Sequence, residues 1–245
     1  MGLVKGFLRA MLMSCRDWIG ALADVIFPRT CQVCGCALVR GEEVLCLDCL
    51  LAMPRTNFHK SPTATPVIRM AADAKICKMA CMFFYSRKSG YAAMLKKSKY
   101  NGHPEIDMHL GRRFADELLA DGFFDGIDAI VPVPMYRWKK FWRGFNQAEE
   151  IACGVSQATG IPVVHNLEAI RPHATQTRKS AIRRRALSVS YFEVHAPKDL
   201  EGLHVLLVDD IVTTGGTIGA CAHALRDAVP SIRISLLSLA HTTYT

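Results

Sequence analysis

The sequence has no long uninterrupted apolar run, even near its N-terminus, where it is markedly hydrophobic. Apolar side chains recur there at helical spacing, from Val4 and Leu8 to Val25, but charged residues such as Lys5 and Arg9 interrupt them. A membrane-spanning helix needs about 20 apolar residues, and a signal peptide needs a continuous apolar core. The pattern therefore predicts an amphipathic helix that packs on its own protein, with binding to a membrane surface as the alternative. We expect a cytoplasmic protein without a membrane span.

Acidic residues are scarce relative to basic ones. The chain has 22 Asp and Glu against 30 Lys and Arg, which gives a net charge of +8 and a pI near 9.0. This excess favours an anionic partner such as phosphate, pyrophosphate or nucleic acid. Internal repeats and low-complexity segments are absent, and half of the 245 residues are hydrophobic. Wholesale disorder is thereby excluded, and the length suits a medium domain with a small module.

The ten cysteines lack the spacing of a disulfide framework. Four of them, Cys31, Cys34, Cys46 and Cys49, form two C-x-x-C pairs separated by eleven residues, which predicts a tetrahedral zinc site with four sulfur ligands. Such a site has no open position, so its role is predicted to be structural. Cys36 competes with Cys34 in this pattern, and a cluster of free thiols is the alternative. Metal-bound and buried thiols indicate a reducing compartment.

Apolar runs and helical patterns alternate through the rest of the sequence. Strands are predicted at 75–85, 127–133, 161–164, 205–208 and 232–240, with helices at 91–97, 106–118 and 145–160 and from the turn after 213 to 228. Apolar strands separated by helices are typical of a parallel sheet that is covered on both faces. We therefore predict an α/β domain over 75–245. A linker over 57–74 joins it to an N-terminal part, 1–56, that holds the helix and the cysteine module.

The segment 205–218, V-L-L-V-D-D-I-V-T-T-G-G-T-I, combines a buried strand, two acids and a turn that opens a helix. Ligands of open α/β sheets lie beyond the carboxyl ends of the strands, and a helix start presents unpaired N–H groups to an anion. The two acids would repel a phosphate, but they suit the hydroxyls of a sugar beside it. The segment thus predicts a site for a phosphorylated sugar, formed by Asp209, Asp210, Thr213, Thr214, Gly215, Gly216 and Thr217.

Other interpretations of this segment fit less well. It lacks the lysine of a Walker A loop and the spacing of a G-x-G-x-x-G dinucleotide turn. A two-component receiver needs further strands well beyond its acidic pair, and only 35 residues remain after Asp210. A simple Asp helix cap with a tight turn needs one acid, whereas this segment has two acids, three threonines and two glycines.

The loop resembles the phosphoribosyl pyrophosphate (PRPP) signature of type I phosphoribosyltransferases. Nearly the whole chain resembles the ComF family of competence-associated proteins, which couple a small zinc module to that domain. The resemblance rests on the two C-x-x-C pairs, Tyr91 with K-Y-x-G at 99–102, V-P-V-P at 131–134, R-G-F-N-Q-A at 143–148, T-Q at 175–176 and the loop. The arginine-rich segment 171–185 departs from the family, because Ala186-Leu187-Ser188 follows where the family has an Asn and then a small residue with Phe.

The resemblance implies that the chain binds PRPP and transfers its phosphoribosyl group. Asp209 and Asp210 would contact the ribose 2′- and 3′-hydroxyls, and the residues from Thr213 to Thr217 would wrap the 5-phosphate. The strand-end loop 134–137 takes the place that holds pyrophosphate with Mg²⁺, and nearby cations stabilise the pyrophosphate as it departs. These cations are Arg137, Lys139, Lys140 and Arg143. The implied catalytic residues are Asp209, Asp210 and Arg143, and the implied PRPP ligands outside the loop are Arg137, Asn146 and Gln147.

Two basic segments accompany the predicted site. Residues 137–143, R-W-K-K-F-W-R, form either a hood over the ligand, which we favour, or a platform on which bases stack. Residues 171–185 are predicted to form a flexible loop that closes over PRPP. A glutaminase domain like that of amidophosphoribosyltransferases is excluded, because the first cysteine lies inside the predicted helix and no room remains for such a domain.

Two functions therefore stay open. One is a phosphoribosyltransferase with a structural zinc module, whose acceptor the sequence does not identify. The other is a competence protein that binds single-stranded nucleic acid and keeps the transferase site only for binding. Expected partners are PRPP or a related ribose 5-phosphate, single-stranded DNA and proteins of the competence machinery.

Overall fold

The computed structural model describes residues 28–61, 63–171 and 191–242. The predicted N-terminal helix and nearly all of the arginine-rich segment 171–185 lie outside these residues. The chain divides after Ala52 into two compact units. None of the helices described is long and apolar enough to cross a membrane.

Short backbone hydrogen bonds organise the described residues of the first unit, 28–52. Cys31 donates its N–H to the Cys36 carbonyl at 2.8 Å, and its carbonyl accepts from the Gly35 N–H at 2.9 Å. Gly35 has a φ of +78°, which a residue without Cβ adopts readily, so the chain can turn immediately after the first C-x-x-C pair. Helix α1 (Leu47–Leu51) begins directly after Cys46.

The second unit contains the remaining elements. In chain order these are α2 (Thr65–Ala74), β1 (Met79–Tyr85), α3 (Gly90–Asn101), α4 (Pro104–Leu119), β2 (Ala129–Pro132), α5 (Arg137–Arg143), α6 (Gln147–Thr159), β3 (Leu167–Ala169), β4 (Phe192–Val194), β5 (His204–Val212), α7 (Gly216–Ala228) and β6 (Arg233–Thr242). Single turns of 3₁₀ helix lie at Phe58–Lys60 and Pro197–Leu200.

The main sheet has the strand order β1-β6-β5-β2, and all of its neighbouring strands are parallel. Strand β5 lies inside the sheet, with Val205 opposite Ile234 on one side and opposite Ala129 on the other. The four residues from Val205 to Val208 are fully buried, which explains why they read as an unbroken apolar run. The predicted α/β fold with a parallel sheet and flanking helices is confirmed. Strands β3 and β4 form a separate antiparallel pair.

The predicted strand at 161–164 is reduced to one parallel bridge between Val163 and Ile130. The Pro162 carbonyl accepts from Ile130 N–H at 2.8 Å, and Val164 N–H donates to the Ile130 carbonyl at 2.8 Å. Pro162 has no N–H of its own to donate, so the ladder extends no further here.

The segment 57–74, predicted as a linker, is instead part of the second unit. It contains a 3₁₀ turn and helix α2, and Phe58, Met70 and Ala74 are buried in the main hydrophobic core. The unit boundary lies at Ala52, before the proline- and threonine-containing stretch rather than within it. The polar composition of this stretch concealed a few well-spaced core residues.

Helices α4 and α6 pack with their backbones in close contact, which fixes the position of α6. A Cβ at Gly154 would lie 2.1 Å from the Met108 carbonyl oxygen, and one at Gly111 would lie 2.5 Å from that of Ile151. Both positions therefore require glycine, because a Cβ would clash with the backbone of the facing helix. The N-terminal end of α6 carries two of the predicted ligand residues.

Candidate active site

Two adjacent carboxyl groups project near the C-terminal end of β5. The Asp209 carboxyl accepts from the backbone N–H of Asp210 at 2.9 Å, and the Asp210 carboxyl accepts from that of Ile211 at 2.7 Å. Both residues are half-buried. These backbone hydrogen bonds fix the orientation of the two side chains before any ligand binds.

The carboxyl pair has a cationic neighbour that the sequence did not single out as a site residue. The ammonium group of Lys99, on α3, forms an ion pair with Asp210, and the two side chains are only 18% and 17% exposed. The one signal for Lys99 was its place in the K-Y-x-G motif, which carried the family resemblance but no role.

The two carboxyl groups differ in their affinity for protons. Burial raises the pKa of Asp209, and the neighbouring charge of Asp210 raises it further. Burial opposes ionisation of Asp210 as well, but the Lys99 ammonium overcomes it and lowers the pKa of Asp210 below its ordinary value. At neutral pH the pair therefore carries one negative charge, held on Asp210.

The turn after β5 opens helix α7 with free backbone donors. Thr213 and Thr214 are exposed, and the helix begins after Gly215, which has a φ of +76° and offers no side chain to cap it. The first N–H groups of a helix have no intrahelical partner and carry a partial positive charge. Gly216 and Thr217 lie in this first turn, directly after Thr213, Thr214 and Gly215.

Helix α2 supports this turn from below. A Cβ at Gly215 would lie 2.1 Å from the Cε atom of Met70, so the thioether occupies the space under the turn. Arg226 of α7 donates to the carbonyl of Ala74, at the end of α2. The segment predicted to be a linker therefore contacts the turn between β5 and α7 through Met70, a residue that the sequence did not single out.

The residues predicted to hold pyrophosphate form helix α5 and the start of α6. Arg143 donates to the Gln147 side-chain oxygen at 2.9 Å and lies over the Tyr100 ring at 5.4 Å from its centre. The Gln147 side-chain nitrogen is buried without a hydrogen-bond partner. Arg143 and Gln147 therefore come together, and the side-chain nitrogen of Gln147 has hydrogen-bonding capacity to spare.

Asn146 has a structural task. Its side chain donates to the Val133 carbonyl at 3.0 Å and accepts from Ala148 N–H at 3.3 Å, which caps α6 and fixes it to the strand-end loop. Only 3% of the residue is exposed. The Asn146 side chain therefore fixes the strand-end loop to the start of α6.

Two cations of α5 interact with different parts of the unit. Burial lowers the pKa of Lys139, the charge of Arg143 lowers it further, and the two acids of β5 act against both effects, so Lys139 lies within electrostatic reach of the carboxyl pair. Lys140 forms an ion pair with Glu149 at 2.7 Å. Lys139 therefore interacts electrostatically with the acidic pair, whereas Lys140 is paired with Glu149 of α6.

Arg137 lines a different part of the surface. It borders an open cavity of about 700 Å³, together with Tyr136, Trp138, Phe141, Glu168, Ala169 and Ile170. Trp138, Phe141 and Trp142 are 64%, 75% and 82% exposed, so they contribute little to any core of the unit. Large exposed aromatics beside cations form a surface on which planar groups can stack.

The first unit brings its four predicted cysteines together. The sulfur atoms of Cys31, Cys34, Cys46 and Cys49 lie within 4.8 Å of one another, and those of Cys34 and Cys46 are 3.7 Å apart. A zinc ion with Zn–S bonds of about 2.3 Å in tetrahedral geometry sets its sulfurs about 3.8 Å apart. The four side chains therefore fit a tetrahedral metal ion.

These thiols differ in how readily they lose a proton, which a cysteine must do to bind a metal ion. Burial opposes ionisation of Cys31, but backbone N–H groups outweigh it and lower its pKa to about 6. The pKa of Cys49 is raised, first by burial and then by the neighbouring thiols, an effect that a central metal ion reverses. Cys36 lies outside the cluster of four, although its sulfur is 3.2 Å from that of Cys34.

Comparisons with known proteins point to one family. A model of the phosphoribosyl transferase domain matches residues 144–243, which include α6, β5, the acidic pair and α7. Among solved structures, adenine phosphoribosyltransferase from Saccharomyces cerevisiae is 18% identical, covers 60% of this chain and 73% of its own, and has a TM-score of 0.37. That score is too low to establish the fold, which rests on the strand order and the domain match.

Relatives in sequence extend beyond the matched domain. DNA utilization protein YhgH of Escherichia coli O157:H7 is 27% identical over 83% of this chain and 87% of its own length. The protein of the same name from Salmonella typhi is 29% identical over 58% of this chain, and the chain covers only 63% of that relative's length. Competence protein F of Haemophilus influenzae is 34% identical over 40% of this chain and 44% of its own length. Residues 144–243 thus match the phosphoribosyl transferase domain, and much of the chain is similar to proteins named for DNA utilization and competence.

Proposed function

We propose that this protein binds PRPP at the C-terminal end of β5 and transfers its phosphoribosyl group with release of pyrophosphate. One observation carries the proposal: an oriented acidic pair is followed immediately by a glycine turn that opens an uncapped helix. An anion site suits the 5-phosphate of a ribose 5-phosphate group, and the fixed carboxylate beside it suits the ribose hydroxyls.

The proposed ligand uses the two parts of this site differently. Its 5-phosphate accepts hydrogen bonds from the backbone N–H groups at the start of α7 and from the hydroxyls of Thr213, Thr214 and Thr217. Its ribose hydroxyls donate to Asp210, and the protonated Asp209 adds either a donor or an acceptor. Glycine at 215 and 216 lets the backbone come close to the phosphate.

The departing pyrophosphate is assigned to Arg143, Lys139 and Gln147. Arg143 and Lys139 supply positive charge near the acidic pair, and the Gln147 nitrogen supplies a donor that the protein leaves unused. Mg²⁺ carried by the phosphate oxygens would neutralise further charge, in keeping with its preference for oxygen ligands and water over a dedicated protein cage. Loss of pyrophosphate generates an oxocarbenium-like sugar, which an acceptor nucleophile attacks.

A structural zinc ion in the cysteine module completes the proposal. Cys31, Cys34, Cys46 and Cys49 would hold it, and it would supply folding energy to a unit whose described residues bury few apolar side chains. We place the proposed activity in the cytoplasm, because free thiols persist in a reducing compartment. The relatives named for competence and DNA utilization suggest a task in the uptake or use of DNA, with proteins of that machinery as partners.

The exposed aromatics of α5 support a second candidate function, binding of single-stranded DNA. Trp138 and Trp142 offer faces for bases, and the helix carries four cations for the backbone. Under this proposal a Trp138→Ala/Trp142→Ala variant loses affinity for an oligothymidine, measured by fluorescence anisotropy, while Asp209→Ala/Asp210→Ala keeps it. Equal affinity of the tryptophan variant and wild type would exclude this surface.

The transferase proposal is tested by titration calorimetry with PRPP and Mg²⁺. Wild type should bind one equivalent, and Asp209→Ala/Asp210→Ala should bind at least about 100-fold more weakly, since one charge-assisted contact and one further hydrogen bond are lost. The exposed Asp116→Ala on α4 is the matched control and should bind like wild type. Absence of binding to wild type, or equal binding by the double variant, would overturn the proposal. Release of pyrophosphate on addition of acceptors then separates transfer from binding.

A further inference from the structure

The acidic pair at the end of β5 depends on a residue that lies far from it in the sequence. Two neighbouring carboxyl groups in a half-buried place cannot both ionise without a compensating cation. Among the described residues, Lys99 is the one whose cationic group forms an ion pair with either of them. Lys99 lies before residue 144, where the match to the phosphoribosyl transferase domain begins.

The fold holds Lys99 in place through its neighbours on α3 and α4. Ser98 donates a hydrogen bond to the Asp107 carboxyl, and both residues are essentially inaccessible to solvent. Helix α3 then ends at Gly102, whose left-handed φ of +71° directs the chain into α4. The C-terminal turn of α3 is therefore clamped to α4, and the adjacent Lys99 side chain is directed to Asp210.

Other charges around Asp210 do not replace this ion pair. The Asp209 side chain on the same strand also lowers the pKa of Asp210, but less than Lys99 does, and burial raises the pKa of Asp107 on α4 to about 7. Lys139 on α5 acts on the pair electrostatically, but without an ion pair of its own within the described structure. Lys99 is thus the main source of the asymmetry in which Asp210 is ionised and Asp209 keeps a proton.

We propose that Lys99 is a positioning residue that holds the Asp210 carboxylate ionised and aimed at the hydroxyls of the ribose phosphate ligand. The inference rests on the proposed function. It adds that a side chain outside the turn 213–217, Lys99, sets the charge state of the site. Without Lys99 the single negative charge is shared between Asp209 and Asp210, so Asp210 is no longer the residue that is always ionised. The site then binds a ribose well only at a pH high enough to ionise Asp210 by other means.

Three variants separate this role from general effects of charge. Lys99→Met removes the cation, Lys99→Arg keeps it, and Lys96→Met removes an exposed cation one turn earlier on the same helix. Two properties are measured in each folded variant. The first is the ionisation midpoint of Asp210, from ¹³C carboxyl chemical shifts without ligand, and the second is the affinity for PRPP with Mg²⁺ between about pH 5.5 and pH 8.5.

Lys99→Met should raise the Asp210 midpoint by at least one pH unit and weaken PRPP binding about tenfold at the acidic end, with a smaller loss at the alkaline end. Lys99→Arg should restore both properties, and Lys96→Met should leave both unchanged. An unchanged midpoint in Lys99→Met, or an equal loss of affinity in Lys96→Met, would overturn the proposal. If wild type binds no PRPP, the proposed function fails and the role of Lys99 toward the ligand fails with it, while the midpoint still reports the ion pair.

Discussion

The two units of the chain obtain their structure from different sources. In the cysteine module the buried apolar side chains are few, essentially Cys31, Val44, Leu45 and Cys46, while Leu51 is 75% exposed. In the second unit the strand from Val205 to Val208 is entirely buried, and it is one of four parallel strands. A unit of the first kind depends on its ligands for folding energy, whereas a unit of the second kind depends on burial.

The same contrast recurs within β5 itself. Its first part is core, and from Asp209 onward the strand carries polar groups that are only half-buried. The polar part orients its own side chains, because the backbone N–H groups of Asp210 and Ile211 donate hydrogen bonds to the two carboxyls. We therefore expect that a ligand can leave this site without loss of the fold, whereas removal of the proposed metal should unfold the cysteine module.

The largest expected effect is removal of one metal ligand. Cys46→Ser should abolish zinc binding and unfold the first unit, because structural zinc contributes on the order of 10 kcal/mol to such modules. Metal analysis should give one equivalent of zinc in wild type and none in the variant. Cys77→Ser, which replaces an exposed thiol of the second unit, is the matched control. Full retention of zinc by Cys46→Ser, or wild-type protein without metal and with all thiols titratable, would contradict the assignment.

Next in size is a cavity in the core of the second unit. Leu206→Ala removes a fully buried side chain in β5 and should lower the free energy of unfolding of that unit by about 2–5 kcal/mol. Urea denaturation measures the loss, and zinc content should stay at one equivalent. The control is Leu119→Ala at a 45% exposed position of α4, with an expected change of about 0.5 kcal/mol or less. Equal losses in the two variants would show that burial does not stabilise this strand.

A smaller loss of stability is expected for a substitution in the turn between β5 and α7. Gly215→Ala places a Cβ against Met70 at a φ of +76° and should lower the free energy of unfolding by about 1–3 kcal/mol. Met70→Ala in the same chain should return part of this loss, because it removes the clash but not the strain. Thermal unfolding measures both, and Gly216→Ala, whose Cβ would make only an ordinary contact with the Thr214 hydroxyl at 3.6 Å, is the matched control. If the two glycine variants are equally stable, the support from Met70 is refuted.

The smallest effect concerns the pH dependence of stability. Because the pKa of Asp209 is raised by folding, the native state holds its proton more tightly than the unfolded state. The wild-type fold therefore loses stability as the pH rises from the ordinary Asp pKa near 4 through the raised value. Asp209→Asn, which mimics the neutral acid, should lose less stability than wild type between about pH 5 and pH 8.

Denaturant unfolding at several pH values measures the pH effect. The exposed Asp116→Asn on α4 is the control and should follow the wild-type profile. Parallel pH profiles for wild type and Asp209→Asn would show that Asp209 ionises in the native state as it does in the unfolded chain.

The features that the sequence revealed are those encoded by neighbouring residues. The cysteine pairs and the segment 205–218 have local spacing that almost determines their geometry, so both can be predicted from the sequence alone. The parallel sheet followed from apolar runs such as the one before Asp209. Each of these signals spans fewer than about 20 residues.

The features that were missed depend on contacts between distant parts of the chain. Lys99 pairs with Asp210, and Met70 lies under Gly215, with no local pattern that joins either pair. Helix α2 was obscured by the prolines and polar residues around Phe58 and Met70. Asn146 stays a predicted ligand residue, but its hydrogen bonds to Val133 and Ala148, which cap a helix and hold a loop, were not evident from its motif.

A crystal structure of the protein with PRPP and Mg²⁺ tests the central claim most directly. The account predicts the 5-phosphate within about 3 Å of the backbone N–H groups at Gly216 and Thr217, and the ribose hydroxyls on the Asp210 and Asp209 carboxyls. The pyrophosphate should lie beside Arg143 and Lys139. A 5-phosphate bound elsewhere, or a ribose that leaves both carboxyls untouched, would contradict the account.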